Sequence, residues 1–118
     1  MNVKVLVVDD DNCSSGIFKA YLDFKEDWKI TTAESPKKAF EIMQESKFDV
    51  VVADLKMPEM NGMVFLSEVS SKHPEMIRIL FSASKLLTDV PSYIHFQYEK
   101  GNFSMKELVD KVNQRLAS

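Results

Sequence analysis

The stretch Val50-Val51-Val52-Ala53-Asp54-Leu55-Lys56-Met57-Pro58-Glu59-Met60-Asn61-Gly62 holds an apolar run, a carboxylate and a punctuated loop, in that order. Residues 50–53 have strand length and no polar position, as a strand covered on both faces requires. Pro58 and the Asn61-Gly62 pair mark the loop. Beyond it, Phe65, Leu66 and Val69 give the apolar side of a helix, closed by Lys72-His73-Pro74. An apolar strand that ends in an acid and leads through a loop into a helix is one β–α unit.

Outward from this unit the same alternation repeats. Val3–Val8 is a β-branched run that stops abruptly at Asp9. Ile17, Ala20, Tyr21 and Phe24 then fall on one face of a helix. Residues 28–32 read as a second strand. Ser35-Pro36 starts a helix, with serine as N-cap and proline at the first helical position, and Ala39, Phe40, Ile42 and Met43 follow as its apolar side. Residues 76–81 read as a fourth strand ending at Ser82. Residues 85–89 predict a short, weak helix cut off by Pro91, and residues 93–98 alternate as a strand. Ser104-Met105-Lys106-Glu107 is a capping box, with Phe103 and Leu108 placed for a hydrophobic staple and Leu108, Val112 and Leu116 carrying the last helix. Strict β–α alternation implies right-handed crossovers and a parallel sheet with helices on both faces. The expected fold is α/β, a three-layer sandwich around a five-stranded parallel sheet.

Composition narrows the function. The 118 residues fit one domain, spanning 1–118, and a chain of this size buries roughly two-thirds of the surface it exposes when unfolded. Hydrophobic residues at 45% and charged residues at 28% are a globular mixture. The net charge of −3 lacks the basic excess that drives phosphate-backbone binding, so direct contact with nucleic acid is not expected. Residues 1–60 carry 8 basic and 12 acidic side chains, whereas 61–118 carry 7 and 6, so the excess acid lies early in the chain. Cys13 is the only cysteine, which excludes an internal disulfide and fits a reducing compartment. Asp9-Asp10-Asp11 interrupts the first apolar run too early for a signal peptide or a membrane span. A cytoplasmic location follows as an expectation.

In a parallel sheet the residues ending each strand share the carboxyl edge, where open α/β sheets bind their ligands. Here those residues are Asp9-Asp10-Asp11, Asp54, Ser82-Ala83 and, after the fifth strand, Lys100. Clustered carboxylates repel and raise each other's pKa, and a bound divalent cation relieves that strain. An all-oxygen donor set without His or Cys selects a hard ion, and Mg2+ suits one or two carboxylates plus a phosphate. Lys100 and the Ser82 hydroxyl supply donors for an anion. A carboxylate beside a metal and a lysine can act as a nucleophile toward phosphorus.

These residues resemble the receiver domain of two-component response regulators over essentially the whole chain. The landmarks are Val7-Val8-Asp9-Asp10-Asp11, the segment from Asp54 through Gly62, Phe81-Ser82-Ala83 and Glu99-Lys100. The resemblance implies a flavodoxin-like strand order 2-1-3-4-5. It implies Asp54 as phosphoacceptor, and Asp10 and Asp9 as Mg2+ ligands, Asp9 directly or through water. The Lys56 backbone carbonyl would complete the protein's share of the coordination. Ser82 and the Ala83 amide would bind the phosphoryl group, and Lys100 would pair with Asp54 or its phosphate. The implied partners are a sensor histidine kinase or phosphotransfer protein and an unidentified downstream protein or output domain.

Three departures from the family pattern stand out. Lys100 is followed by Gly101-Asn102 where a single proline is usual, so Phe103 comes one place late. Ser82 and Lys100 are separated by less chain than usual, so the fourth helix must be short, distorted or missing. Gln97 replaces the usual aromatic three positions before the lysine, and Phe96 and Tyr98 on either side of it alternate to the opposite face. The altered region leaves open a receiver-like scaffold that works without phosphate. A haloacid-dehalogenase-type phosphatase would also place Asp-x-Asp after an apolar strand, but this chain is short for its cap and the Asp54 segment would go unexplained.

Overall fold

Side-chain alternation divides five strands between two cores. The computed structural model describes residues 3–9, 28–57, 59–83, 86–100 and 102–117. Within them lie β1 (Val3–Val8), β2 (Trp28–Ala33), α1 (Pro36–Glu45), β3 (Val50–Asp54), α2 (Gly62–Lys72), β4 (Ile77–Ser82), β5 (Phe96–Glu99) and α3 (Met105–Ala117). The strands pair in parallel in the order β2-β1-β3-β4-β5. On one face Val5, Val7, Val52, Ile79 and Phe81 pack with Leu108, Val109 and Val112 of α3. On the other, Leu6, Val8, Val51, Ala53 and Leu80 pack with Ala39 and Met43 of α1 and Phe65, Leu66 and Val69 of α2. The three-layer architecture and the strand order are those expected from the sequence. The helix expected on Ile17, Ala20, Tyr21 and Phe24 lies outside the described residues.

The helix starts follow their capping chemistry. Ser35 Oγ accepts the Lys38 amide at 3.2 Å with Pro36 at the first helical position. Asn61 Oδ1 accepts the Val64 amide at 2.9 Å, and Ser104 Oγ accepts the Glu107 amide at 3.1 Å. Each bond satisfies a donor that the first helical turn leaves without an intrahelical partner. Phe103 sits 4.9 Å from Phe81 and 5.8 Å from Tyr98, centroid to centroid. Its late position is absorbed by the turn in which Asn102 N–H donates to Glu99 O at 3.1 Å.

The chain between β4 and β5 corrects the sequence reading. Among the described residues 86–95 there is no helix, and β5 begins at Phe96 rather than at residue 93. Thr88, Asp89 and Val90 are poor helix formers, and Pro91 disfavours helical backbone in the residue before it. Without a helix this crossover needs other hydrogen-bond partners. Side chains of the sheet supply them. Gln97 Oε1 accepts the Leu87 N–H, and Gln97 Nε2 donates to the Leu87 carbonyl, both at 2.8 Å. Arg78, buried in β4, donates from Nε to Tyr93 O at 2.7 Å and from Nη1 to Met76 O at 2.9 Å and Pro74 O at 3.2 Å. Its own backbone exchanges two bonds with His95, as His95 N–H donates to Arg78 O and Arg78 N–H donates to His95 Nδ1, both at 2.9 Å.

This arrangement needs a neutral His95. Burial, then the positive charges of Arg78 and Arg115, push its pKa from 6.5 down to about 4. The folded-state pKa lies below the unfolded one, so the contribution to stability is complete above pH 6.5 and is lost as pH falls toward 4. His95→Asn keeps a side-chain acceptor for the Arg78 amide but does not titrate. Urea unfolding between pH 7 and pH 4 is expected to show wild type losing stability relative to this variant.

Candidate functional site

Strand register brings the chemistry to one edge. Val8 lies level with Ala53, Asp54 with Phe81, and Ser82 with Glu99. Backbone bonds carry the ladders past the last paired residues. Asp9 N–H donates to Ala33 O at 3.0 Å, Leu55 N–H to Phe81 O at 2.7 Å, and Lys100 N–H to Ser82 O at 2.7 Å. Asp9, Asp54, Ser82 and Lys100, separated by up to 91 positions in sequence, therefore meet along the carboxyl edge.

Asp9 and Asp54 are 6% and 8% exposed, too little for water alone to solvate two carboxylates. Lys100 supplies the compensation. Its ammonium donates to Asp54 Oδ2 at 2.8 Å and to Asp9 Oδ2 at 3.4 Å. Burial lowers the Lys100 pKa, but the hydrogen bond to Asp54 and the charges of Asp9 and Asp54 outweigh it, and the net shift is upward. The lysine stays protonated, and its bond is the short, charge-assisted kind. The second Asp54 oxygen, Oδ1, accepts the Lys56 amide at 3.4 Å. Ser82, 4% exposed, is the last residue of β4.

The loop after Asp54 is drawn tight against the strand end. Gly62 N–H donates to Leu55 O at 2.8 Å, closing the segment that starts α2. A Cβ on Gly62 would stand 2.3 Å from the Asp54 carbonyl oxygen and 2.9 Å from its carbon. Glu59, at φ 71°, is the only described non-glycine residue in the left-handed region, a strained conformation. The sequence marked Asn61-Gly62 as loop punctuation, whereas the structure gives Asn61 the role of cap and Gly62 that of a close backbone contact.

Of the expected site residues, Asp9, Asp54, Ser82 and Lys100 converge. Lys56 contributes its amide to Asp54, and Asp10 and Asp11 lie outside the described residues. Among the described residues no group of three or more His, Cys, Asp or Glu side chains is placed to hold a metal ion, and Asp9 and Asp54 are the two carboxylates brought together at this edge. The donor set around Asp54 is all oxygen on the acidic side, which fits Mg2+. Sequence reasoning missed Arg78 and His95 as anchors of the β4–β5 crossover, and saw in Gln97 only a missing ring.

Comparison with known proteins agrees with this geometry. Residues 5–112 match the family described as response regulator receiver domain. The chain is 30% identical over 114 residues to the hydrogenase transcriptional regulatory protein HoxA of Cupriavidus necator, covering 93% of this chain and 23% of that protein. It is 30% identical over 115 residues to the response regulator SaeR of Staphylococcus aureus, covering 95% of this chain and 50% of that one. The chain therefore spans half or less of the length of these curated relatives. Among solved structures, the response regulator TrrA of Thermotoga maritima, in complex with Mg(2+)-BeF, superposes with a TM-score of 0.84 at 28% identity, covering 96% of this chain and 98% of that one. The chain belongs to the response regulator receiver family of two-component signalling. That membership leaves the phosphatase alternative without support.

Space, not backbone conformation, requires glycine at position 62. Alanine would gain about 1 kcal/mol in helix propensity. Its Cβ would meet backbone that cannot step aside, which costs about 3 kcal/mol. Gly62→Ala is expected to lower unfolding free energy by about 2 kcal/mol in urea titration.

Proposed function

We propose that Asp54 accepts a phosphoryl group from a sensor histidine kinase or phosphotransfer protein in a Mg2+-dependent reaction. The observation that carries this is the lysine bridge, in which Lys100 stands 2.8 Å from one Asp54 oxygen and 3.4 Å from Asp9. It places a cation against the nucleophilic carboxylate and orients it at the edge of the sheet. An Asp54 oxygen attacks phosphorus, the bond from phosphorus to the donor's nitrogen or oxygen breaks, and the donor leaves with that electron pair. The product is an acyl phosphate. Lys100 balances the added charge, and Ser82 donates its hydroxyl to a phosphoryl oxygen. Asp9, Asp10, Asp54 and the Lys56 carbonyl would hold Mg2+, which supplies charge neutralisation to both carboxylate and phosphate. Hydrolysis of the acyl phosphate returns the resting state, so the domain turns over its own phosphoryl group and is not a phosphatase of other substrates.

The reading extends to the whole chain, 1–118, as a single receiver domain that acts in the cytoplasm through protein contacts rather than direct nucleic-acid binding. Among the described residues no helix is long and apolar enough to cross a membrane. The downstream partner is a protein or an output domain that recognises the phosphorylated form. The non-helical crossover favours one second reading, a scaffold that binds partners without phosphate. With acetyl phosphate and Mg2+, wild type is expected to form an acid-stable, base-labile adduct, and chelation of Mg2+ or Asp54→Asn to abolish it. The side-chain amide of that variant is neither a comparable nucleophile nor an anion for the metal. Wild type that stays unmodified by both acetyl phosphate and a cognate kinase supports the scaffold.

A further inference from the structure

The crossover 86–95 is tied to the sheet at two levels, and the two ties differ in strength. At the amino edge the tie is Arg78, 5% exposed, with bonds to Tyr93, Met76 and Pro74, backed by the exchange with His95 and by buried Ile94. Nearer the carboxyl edge the tie is the pair of 2.8 Å bonds between Gln97 and Leu87. Gln97 lies level with Leu80, two residues below Ser82. Around this upper tie the packing is thin. Leu87 is only partly buried, and Leu86 and Val90 are 44% and 41% exposed.

We propose that Gln97 is a latch, closed on the Leu87 backbone in the resting protein and opened when Asp54 carries a phosphoryl group. The proposal rests on the reading of Asp54 as phosphoacceptor. One side-chain amide satisfies both the N–H and the C=O of a single residue, as a neighbouring strand would. The latch is thus a small, reversible unit with few apolar contacts to hold it shut, which places it at the low end of local opening free energies. The stimulus enters close by. A phosphoryl group brings new acceptor oxygens to the edge where Ser82 ends β4, and only three residues separate Ala83 from Leu87. A shift of Ser82 and Ala83 toward those oxygens pulls on Leu87 before it reaches Tyr93, which Arg78 holds. The released segment would present Leu86 and Val90 differently, so the phosphorylated form offers a partner a changed apolar surface. The shift is limited to what the phosphoryl group gains from the open form over the closed one.

Amide hydrogen exchange of the full chain, with Mg2+ and with or without beryllofluoride as phosphoryl mimic, tests the latch. Bound beryllofluoride is followed separately by its fluorine signal. Leu87 is expected to be protected in the resting protein and to lose at least about tenfold of that protection with the mimic bound, while Ile94 and His95 keep theirs. Bound mimic with unchanged Leu87 protection overturns the latch and leaves Asp54 standing. Absence of a bound fluorine signal overturns the reading of Asp54, and the release step with it. Gln97→Leu, which removes both bonds at similar size, is expected to expose the Leu87 amide without any phosphoryl group. Gln97→Glu accepts from the Leu87 N–H but, ionised, cannot donate to its carbonyl, so its protection is expected to be intermediate. Wild-type protection in both variants overturns the latch.

Discussion

Two carboxylates, Asp9 and Asp54, are buried at one edge of the sheet and share the ammonium of Lys100, at 3.4 and 2.8 Å. Burying either charge without a cation beside it carries a large desolvation cost. The rest of the fold supplies the geometry for this bridge. The parallel register sets Asp9 and Asp54 on adjacent strands, and the ladder bond from Lys100 to Ser82 sets the lysine one step beyond β5. The Asp54–Gly62 contact draws the following loop close to the strand end. Asp54 is thus held by backbone structure on both sides, and the one long, flexible side chain in the arrangement is that of Lys100.

The β4–β5 crossover shows how a sheet compensates for a missing helix. A helix would satisfy its own backbone and bury one face. Here Arg78 and Gln97, on the same face of the sheet, reach the crossover's backbone instead. Arg78 sits on the face otherwise occupied by Leu80, so a charge has been placed where an apolar side chain would have packed against a helix. Its carbonyl partners, and the neutral His95 beside it, keep that charge hydrogen-bonded. The result is a crossover fixed by directional bonds, whose ends differ in how firmly they are held.

Much of this was legible from residue order. The apolar runs ending in Asp9, Asp54 and Ser82 gave the parallel sheet and its chemical edge, because both-face burial and strand-end convergence follow from pattern alone. Ser35-Pro36 and Ser104 marked helix starts through local bonds that need no tertiary information. The weak pattern at 85–89 misled, because propensity is decided there by partners 10 or more positions away, such as Gln97 on Leu87. For the same reason nothing local to His95 signals its role, which lies in its bonds with Arg78. Gly62 looked like a turn residue, and only the folded distance to Asp54 shows what excludes a side chain. A usable signal did exist: an arginine and a glutamine on strands bordering a crossover that lacks helical periodicity point to side-chain bonding of its backbone.

The central claim is that the bridged carboxylate at position 54 is the atom group that takes the phosphoryl. The most direct measurement is borohydride reduction of the acetyl-phosphate-treated wild type, followed by peptide mapping. Reduction converts an aspartyl phosphate to homoserine and so marks the acceptor itself. The account predicts homoserine at position 54, dependent on Mg2+, with Asp9 intact. Conversion at Asp9 or elsewhere, or conversion at position 54 that persists without Mg2+, would contradict it.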